Sequence, residues 1–346
     1  MKKKILALIL VCAMILALAA CSGSANTKQP AAENTASDAA EAPAASEETA
    51  ASAEGKTYTV GVCQLVQHEA LDAATQGFCD ALTEALGDAV TIDVQNASGD
   101  SVNCGTIVNG FVSKNVDLIM ANATPALTAA ASATADIPIL GTSITAYGVA
   151  LDIADFSGTV GGNISGTSDL ADLSAQAQMI LDWFPETQKV GLLFCSAEPN
   201  SRYQIEEVAK YLADKGVETE EFAFTDTNDV ASVTQSAADY SDVVYIPTDN
   251  TAAANTEAIG NVLIPAGVPA ICGEEGICRG CGVATLSISY YDLGVTTGKM
   301  AAKILTGEAN ISEMPVEFTD ATPKYSPSVC EQLGITPLEG YEAIAG

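Results

Sequence analysis

Strand-like and helix-like segments alternate along the chain from residue 57 to residue 272, and this alternation restricts the possible folds more than any other feature. "TYTVGVC" (57–63) is short and mostly apolar, as a buried strand is, whereas the next segment (69–86) places Leu71 and Phe78 near helical spacing. Strands that alternate with helices form parallel sheets with crossover helices. The sequence therefore predicts an α/β fold.

A break in the alternation near residues 144–162, which contains Gly161–Gly162, divides the pattern into two sets. Two sets predict two doubly wound parallel-sheet lobes joined by a multi-strand hinge. We assign residues 57–144 plus 273–305 to the first lobe and residues 145–272 plus 306–340 to the second lobe. The lobes are expected to close about crossovers near 144–162, 273–276 and 306–320.

The N-terminus has the pattern of a secretory signal peptide over residues 1–20. Three lysines precede an apolar run that is short for a retained membrane helix, which needs about 20 residues. The run ends in "LAAC", which resembles the lipobox of bacterial lipoproteins and predicts that Cys21 carries two acyl chains. Residues 21–56 are rich in Ala, Ser, Thr and Glu, and we interpret them as a disordered tether.

The formal net charge of the chain is −30 at pH 7. Such an acidic surface argues against nucleic acid as a partner, and against membrane contact other than through the lipid anchor. We expect a monomer without a cofactor.

Eight cysteines follow Cys21, and three of them form a C-x5-C-x2-C cluster, namely Cys272, Cys278 and Cys281. This spacing is half of a zinc pattern with no second half. Buried thiols or a local disulfide are therefore favoured over a metal site.

Small polar residues follow most of the predicted strands, as in "LGTSIT", "CSAEPNS" and "YIPTDN". In open parallel sheets, ligands bind at the carboxyl ends of strands, where helix N-termini present unpaired N–H groups. The candidate ligand-binding residues are Gln64, His68, Asn122, Thr124, Thr142, Ser143, Asp169, Glu198, Ser201, Asp249, Asn250 and Glu274. At the strand and helix ends a helix-capping role and a ligand contact both remain open.

Several stretches together resemble the substrate-binding lipoproteins of ABC transporters, specifically the family whose characterised members bind tryptophan or tyrosine. They include "VGVCQLVQHEALDAATQGF", "VDLIMANATPALTAA", "GGNISGTSDL", "VVYIPTDNTAAAN" and "YYDLGVTTGKMAAKILTGE", within residues 57–320. The resemblance implies the type I periplasmic-binding-protein fold. This chain departs from the family pattern at Glu69, at Ala146–Tyr147 and at Gly273–Glu274, all of which are expected near the cleft.

The resemblance favours contact between Asp249 and the ligand. Asp169 and Glu274 either help Asp249 bind an ammonium group or act as cap or hinge residues. Only two arginines, Arg202 and Arg279, lie in the folded region, so a ligand carboxylate is expected at helix N-termini near Asn122, Thr124, Ser143 and Ser201.

The remaining predictions concern one histidine and two aromatic side chains. His68, the only histidine, is either a cap or a cleft residue. Tyr147 is a candidate for stacking on an aromatic ligand, and Trp183 is expected in the core or on the lobe surface.

The resemblance implies a lipid-anchored binding protein on the extracytoplasmic face of the cell membrane. It would close on a small ligand and pass it to an ABC permease and its ATPase. The expected ligand is an aromatic or other apolar L-amino acid. A sensory or adhesive surface lipoprotein, or a nucleoside or sugar ligand, is the alternative. An enzyme is not expected, because the chain has one histidine and no G-x-S-x-G, P-loop or G-x-G-x-x-G motif.

Overall fold

The computed structural model describes residues 55–345. The predicted signal peptide, Cys21 and nearly all of the predicted tether lie outside the described residues. None of the helices within residues 55–345 combines the length and the apolar character that crossing a bilayer requires.

Strands and helices alternate through most of the described range. The strands are β1 (Tyr58–Gln64), β2 (Val90–Asn96), β3 (Leu118–Asn122), β4 (Ile139–Ile144), β5 (Ile164–Ser168), β6 (Lys189–Cys195), β7 (Glu218–Phe224), β8 (Val243–Ile246), β9 (Ala270–Cys272), β10 (Ala284–Ser287), β11 (Glu317–Phe318), β12 (Thr322–Tyr325) and β13 (Glu342–Ala343). The α-helices are α1 (Glu69–Leu86), α2 (Ser101–Lys114), α3 (Thr124–Ala133), α4 (Tyr147–Ala150), α5 (Leu173–Trp183), α6 (Pro199–Asp214), α7 (Val230–Tyr240), α8 (Asn250–Ala253), α9 (Thr256–Ala266), α10 (Glu275–Cys281), α11 (Tyr290–Thr306) and α12 (Pro327–Leu333).

The strands form two sheets, one in each lobe. The first sheet has the order β11-β5-β4-β3-β1-β2, and the second has the order β13-β12-β10-β9-β8-β6-β7. Every pairing between these strands is parallel except that of β10 with β12. The predicted α/β fold with two parallel-sheet lobes is confirmed.

The chain passes between the two sheets at three points: residues 169–172, 288–289 and 319–321. Two of these crossovers differ from the predicted ones. The break at Gly161–Gly162 is a turn inside the first lobe, because β5 continues from it and pairs with β4. The predicted crossover near 273–276 lies inside the second lobe, because β10 follows it and pairs with β9.

The observed lobes therefore have different limits from the predicted ones. Lobe 1 consists of residues 55–168 and 290–318, and lobe 2 consists of residues 173–287 and 322–345. Asp169, a candidate ligand-binding residue, lies in the first crossover, before α5 begins at Leu173.

Strand β1 shows why the buried strands have mostly apolar sequences. Val60 and Val62 pack with Phe78 of α1 on one face of the sheet. Cys63 packs with Phe111 of α2 on the other face. Alternate side chains of a strand point to opposite faces, so a sheet covered by helices on both sides needs apolar residues at consecutive positions.

Helices α1 and α11 approach each other so closely that their backbones are in contact. A Cβ atom on Gly77 would lie 2.1 Å from the carbonyl oxygen of Tyr291. A Cβ atom on Gly294 would lie 2.0 Å from the carbonyl oxygen of Ala74. Only glycine permits this separation, so the two helices form one tightly packed pair.

Tyr147, the candidate for stacking on an aromatic ligand, is largely buried and lines an apolar pocket at the edge of lobe 1. It is 2% exposed in the core of lobe 1. Its ring stacks on Phe156 with centroids 6.2 Å apart, and its hydroxyl donates to the carbonyl oxygen of Thr167 at 3.2 Å. The ring end fills the space above Gly141 and Gly166, whose Cβ atoms would lie 2.5 and 2.4 Å from the Tyr147 hydroxyl oxygen.

The remaining predicted core residues lie in lobe 2. Trp183 is buried and packs edge-on against Tyr341 at a centroid distance of 5.0 Å. Cys272, Cys278 and Cys281 are buried free thiols in the core of this lobe. In residues 55–345 no group of three or more His, Cys, Asp or Glu side chains is arranged to hold a metal ion.

We expect Gly166→Ala to destabilise the protein, because residue 166 has a φ of +142° and the added Cβ would lie 2.0 Å from the carbonyl oxygen of Gly141. The expected loss is about 3 kcal/mol of unfolding free energy. Gly105→Ala in α2 is the matched control, because a Cβ there meets nothing within 4 Å. It should gain up to about 1 kcal/mol. Urea unfolding followed by circular dichroism measures both, and equal stabilities would contradict the packing described.

Candidate functional site

The carboxyl ends of strands from both lobes meet around a small cavity. Its lining consists of His68, Leu71, Ser143, Thr145, Asp169, Asn200, Thr248, Asp249, Asn250, Ala253, Glu274 and Tyr290. His68 follows β1, Ser143 and Thr145 end and follow β4, and Asp249 follows β8. This is the edge at which open parallel sheets bind ligands.

The structure divides the twelve residues selected from the sequence into two groups. Six line the cavity: His68, Ser143, Asp169, Asp249, Asn250 and Glu274. The other six do not line it: Gln64, Asn122, Thr124, Thr142, Glu198 and Ser201.

Gln64 and Asn122 form a polar network inside lobe 1. Gln64 Oε1 accepts a hydrogen bond from the Thr75 hydroxyl at 2.6 Å. Asn122 Nδ2 donates to the same hydroxyl at 3.0 Å and to the carbonyl oxygen of Leu71 at 2.9 Å. Both side chains therefore hold α1 against the ends of β1 and β3.

Thr142 belongs to a chain of buried hydroxyls rather than to the cavity. Its Oγ1 lies 3.1 Å from that of Thr167, which in turn lies 2.9 Å from that of Thr297. The chain connects β4, β5 and α11. Thr124 and Ser201 are buried in the first turns of α3 and α6.

Glu198, which is distant from α8 in the sequence, forms direct hydrogen bonds to the first residues of α8. Its two carboxylate oxygens accept the backbone N–H groups of Asn250 at 3.0 Å and Thr251 at 2.9 Å. It lines the mouth of the cleft, a separate pocket of about 370 Å³ that Asn250 and Thr251 also border.

Asp249 is both a cap and a cavity residue. Its Oδ1 accepts the N–H of Ala252 at 2.8 Å, and its Oδ2 accepts the N–H of Cys195 at 2.7 Å. Glu274 caps α10 in the same way, accepting the N–H groups of Gly276 and Ile277. Each carboxylate thus fixes a helix start at the edge of the cavity.

Asp169 differs from these two because one of its oxygens is free. Its Oδ2 accepts the hydroxyl of Tyr290 at 2.9 Å. Its Oδ1 is buried and accepts no hydrogen bond of normal geometry within the described residues. Ser143 Oγ and Asn200 Oδ1 are also buried and without a partner there. Three acceptor atoms in the lining of one cavity are therefore available to a ligand.

Burial raises the pKa of three carboxyl groups in the lining. The pKa of Asp169 rises to about 6, against the opposing effect of the Tyr290 and Thr145 hydroxyls. The pKa values of Asp249 and Glu274 rise to about 7, and the charge of Glu198 adds to the effect on Asp249. No lysine or arginine lines the cavity to balance these groups. A cationic group is what the site lacks.

Two contacts bridge the cleft and hold the lobes closed. The Nε2 atom of His68 in lobe 1 lies 3.3 Å from Oδ1 of Asn250 in lobe 2. Glu69 in lobe 1 forms an ion pair with Arg279 in lobe 2. The cavity volume is about 10 Å³, which accommodates roughly one water molecule, so an organic ligand requires the lobes to separate further.

The lining also contains four polar residues that were not predicted from the sequence: Thr145, Asn200, Thr248 and Tyr290. The first three lie in the quoted strand-end segments "LGTSIT", "CSAEPNS" and "YIPTDN". Tyr290 follows β10, so the same strand-end rule applied to that strand would have found it.

Comparison with known proteins places these observations in a family. Residues 59–342 match the family model described as "ABC transporter substrate binding protein". A tyrosine-binding protein of Clostridioides difficile is 33% identical over 270 residues, which cover 77% of this chain and 78% of that protein.

Two solved structures have nearly the same sequence identity to this chain but differ in structural similarity. An ABC domain from Streptococcus pneumonia in complex with L-Trp is 31% identical, with a TM-score of 0.79 over 84% of this chain and 100% of that chain. A ligand-free, open substrate binding protein with adhesive properties from Clostridium difficile is 32% identical, with a TM-score of 0.64 over 83% of this chain and 99% of that chain. The closed lobes described above agree with the closer match to the ligand-bound structure.

The raised pKa of Asp169 predicts that the ligand-free protein loses stability as pH rises. The folded state binds a proton at this group up to about pH 6, whereas an unfolded Asp releases it near its ordinary value of 3.8. The stabilisation is thus complete below that ordinary value and is lost as pH rises through about 6.

Calorimetric scans at pH 5.5 and pH 8 should show a pH-dependent loss that is smaller by about 1 kcal/mol in Asp169→Asn than in the parent. Asp172→Asn is the control, because it lies in the same crossover and its carboxyl has a lowered pKa, so it does not titrate in this range. Equal slopes in the parent and Asp169→Asn would show that Asp169 is ionised throughout.

Proposed function

This chain belongs to the family of ABC transporter substrate binding proteins, and we propose that its ligand is an aromatic or other apolar L-α-amino acid. Proteins of this family are extracytoplasmic and bind the substrate for an ABC transporter. The proposal is that this protein passes the amino acid to a permease and its ATPase.

The observation that carries the proposal is the unpartnered Oδ1 of Asp169 in a cavity that no lysine or arginine lines and whose one histidine, His68, has its pKa lowered by burial. An α-ammonium group has three N–H donors and one positive charge. The lining offers three unpartnered acceptors, on Asp169, Ser143 and Asn200. The number and chemistry of these groups fit an ammonium, and the charge offsets the cost of burying the carboxylate.

The ligand carboxylate is proposed to bind at helix N-termini. Arg202 pairs with Glu221, and Arg279 pairs with Glu69 and Glu275, so neither guanidinium lines the cavity. Helices α1 and α6 begin at the cavity, and neither has an N-cap side chain bonded to its first turn. The positive ends of their dipoles favour an anion. From the sequence, the ligand carboxylate was expected at the N-terminus of α3, near Thr124. Thr124 does not line the cavity, so we propose the N-terminus of α1 instead.

Relatives support an aromatic ligand. The relative from Clostridioides difficile is a tyrosine-binding protein, and the structure from Streptococcus pneumonia contains L-Trp. Because one relative has adhesive properties, adhesion at the cell surface is the alternative function. Binding of a free amino acid by the purified protein would distinguish the two functions.

We expect Asp169→Asn to weaken the binding of L-tryptophan and L-tyrosine at least about thirtyfold, because the ammonium loses its charged partner. Titration calorimetry measures the effect, with Asp172→Asn as a control that should bind like the parent. Asp249→Ala should also bind more weakly, but it removes the acceptor of two backbone N–H groups, so circular dichroism must confirm its fold.

Two outcomes would contradict the proposal in different ways. Parent-like affinity in Asp169→Asn would place the ammonium elsewhere and leave the ligand class intact. A parent protein that binds a nucleoside or a sugar, but no amino acid, would refute the ligand class and leave the transporter role intact.

We further propose that the mature protein is a monomer anchored by a lipid on Cys21. The support is the sequence "LAAC" directly before a polar, alanine-rich tether. Cys21→Ala should move the protein from the membrane fraction to the medium or leave it unprocessed. Fractionation followed by mass spectrometry tests this, and membrane retention of Cys21→Ala at the mature mass would contradict the anchor.

A further inference from the structure

An apolar pocket of about 620 Å³ lies beside the cavity, next to the first and third crossovers. We call it the hinge pocket, and its walls include Ala146, Phe156, Leu170, Tyr203 and Phe318. We infer that the hinge pocket receives the side chain of the bound amino acid, an inference that rests on the proposed function.

The hinge pocket and the polar cavity share a lining residue. Thr145 lines both spaces. Asp169 lines the cavity, while its chain neighbours Ser168 and Leu170 line the pocket. A ligand whose ammonium contacts Asp169 therefore has its Cα within a side chain's length of the pocket.

Helix α6 makes the same connection from lobe 2. Asn200 lines the cavity, and Tyr203 lines the pocket. Residues three apart in a helix are neighbours on one face. Tyr203 therefore forms a wall from lobe 2, opposite the walls that lobe 1 contributes.

The chemistry of the walls fits an aromatic or large aliphatic group. Phe156, Tyr203 and Phe318 supply aromatic surface, and Asp152 is the one charged residue in the lining. Phe318 is 60% exposed, so its ring is accessible to a ligand in the pocket. The pocket volume lies within the range of about 300 to 1,000 Å³ that is typical of small-molecule sites.

The pocket is formed by residues from both lobes and from a crossover. The polar cavity has space for roughly one water molecule, so the lobes must separate further to admit the whole ligand. Leu170 belongs to the first crossover, and Tyr203 belongs to the opposite lobe from Phe156. The shape of the pocket therefore depends on lobe closure, so the ligand side chain would be selected in the closed form.

The test compares two tyrosines on helix α6. Tyr203→Ala removes the lobe 2 wall of the hinge pocket, whereas Tyr211→Ala makes the same change eight residues later, where the hydroxyl bonds to Gln178 at 2.7 Å. Titration calorimetry with L-tryptophan should show affinity reduced about tenfold or more in Tyr203→Ala and within about threefold of the parent in Tyr211→Ala. Equal effects of the two substitutions would overturn the inference.

A second variant fills the pocket instead of opening it. Ala146→Leu should reduce affinity for L-tryptophan about tenfold and should change affinity for L-alanine much less, because only the larger side chain competes for the filled space. Unchanged L-tryptophan affinity in a parent that binds it would overturn the side-chain site while leaving the proposed function intact. A parent that binds neither amino acid would overturn both.

Discussion

Three buried carboxyl groups without a basic partner in their cavity are the constraint on which this structure depends. Removing a carboxylate from water is costly, and the cost rises when further acids lie nearby. Asp249 and Glu274 offset it by accepting backbone N–H groups at the starts of α8 and α10. Asp169 accepts the Tyr290 hydroxyl on Oδ2, and its Oδ1 has no hydrogen bond of normal geometry. Two of the three carboxyl groups are therefore stabilised by helix starts, and the proposed ammonium group would stabilise the third.

Much of the site could be predicted, because strand ends in a parallel sheet are recognisable from local patterns. Asp249 and Glu274 were found in this way, as apolar runs that end in a polar residue before a helix. Gln64 and Asn122 follow the same pattern but turn inward to hold α1, a choice set by Thr75 in a distant segment. Tyr290 was missed because β10, with the sequence "ATLS", is half polar and lacks the apolar run that marks β8 and β9.

The lobe limits were less predictable, because they depend on pairings between distant strands. "ISGTS" and "ATLS" are short and partly polar, and nothing in either segment identifies the sheet that it joins. The turn at Gly161–Gly162 resembles a domain boundary but leads into β5 of the same sheet. Tyr147 illustrates the same difficulty at the level of one side chain, because the space it fills is created by glycines on two strands, one of them after it in the chain.

The glycine contact between α1 and α11 couples the positions of the two helices. His68, at the start of α1, touches the cleft, and Tyr290, at the start of α11, follows a crossover. Because Gly77 and Gly294 bring the two backbones into contact, these helix starts cannot move independently. Gly77 lies nine residues beyond His68, about 13 Å along the helix. A change in the spacing of these two helices would therefore move both helix starts together, although Gly77 and Gly294 lie outside the cavity lining.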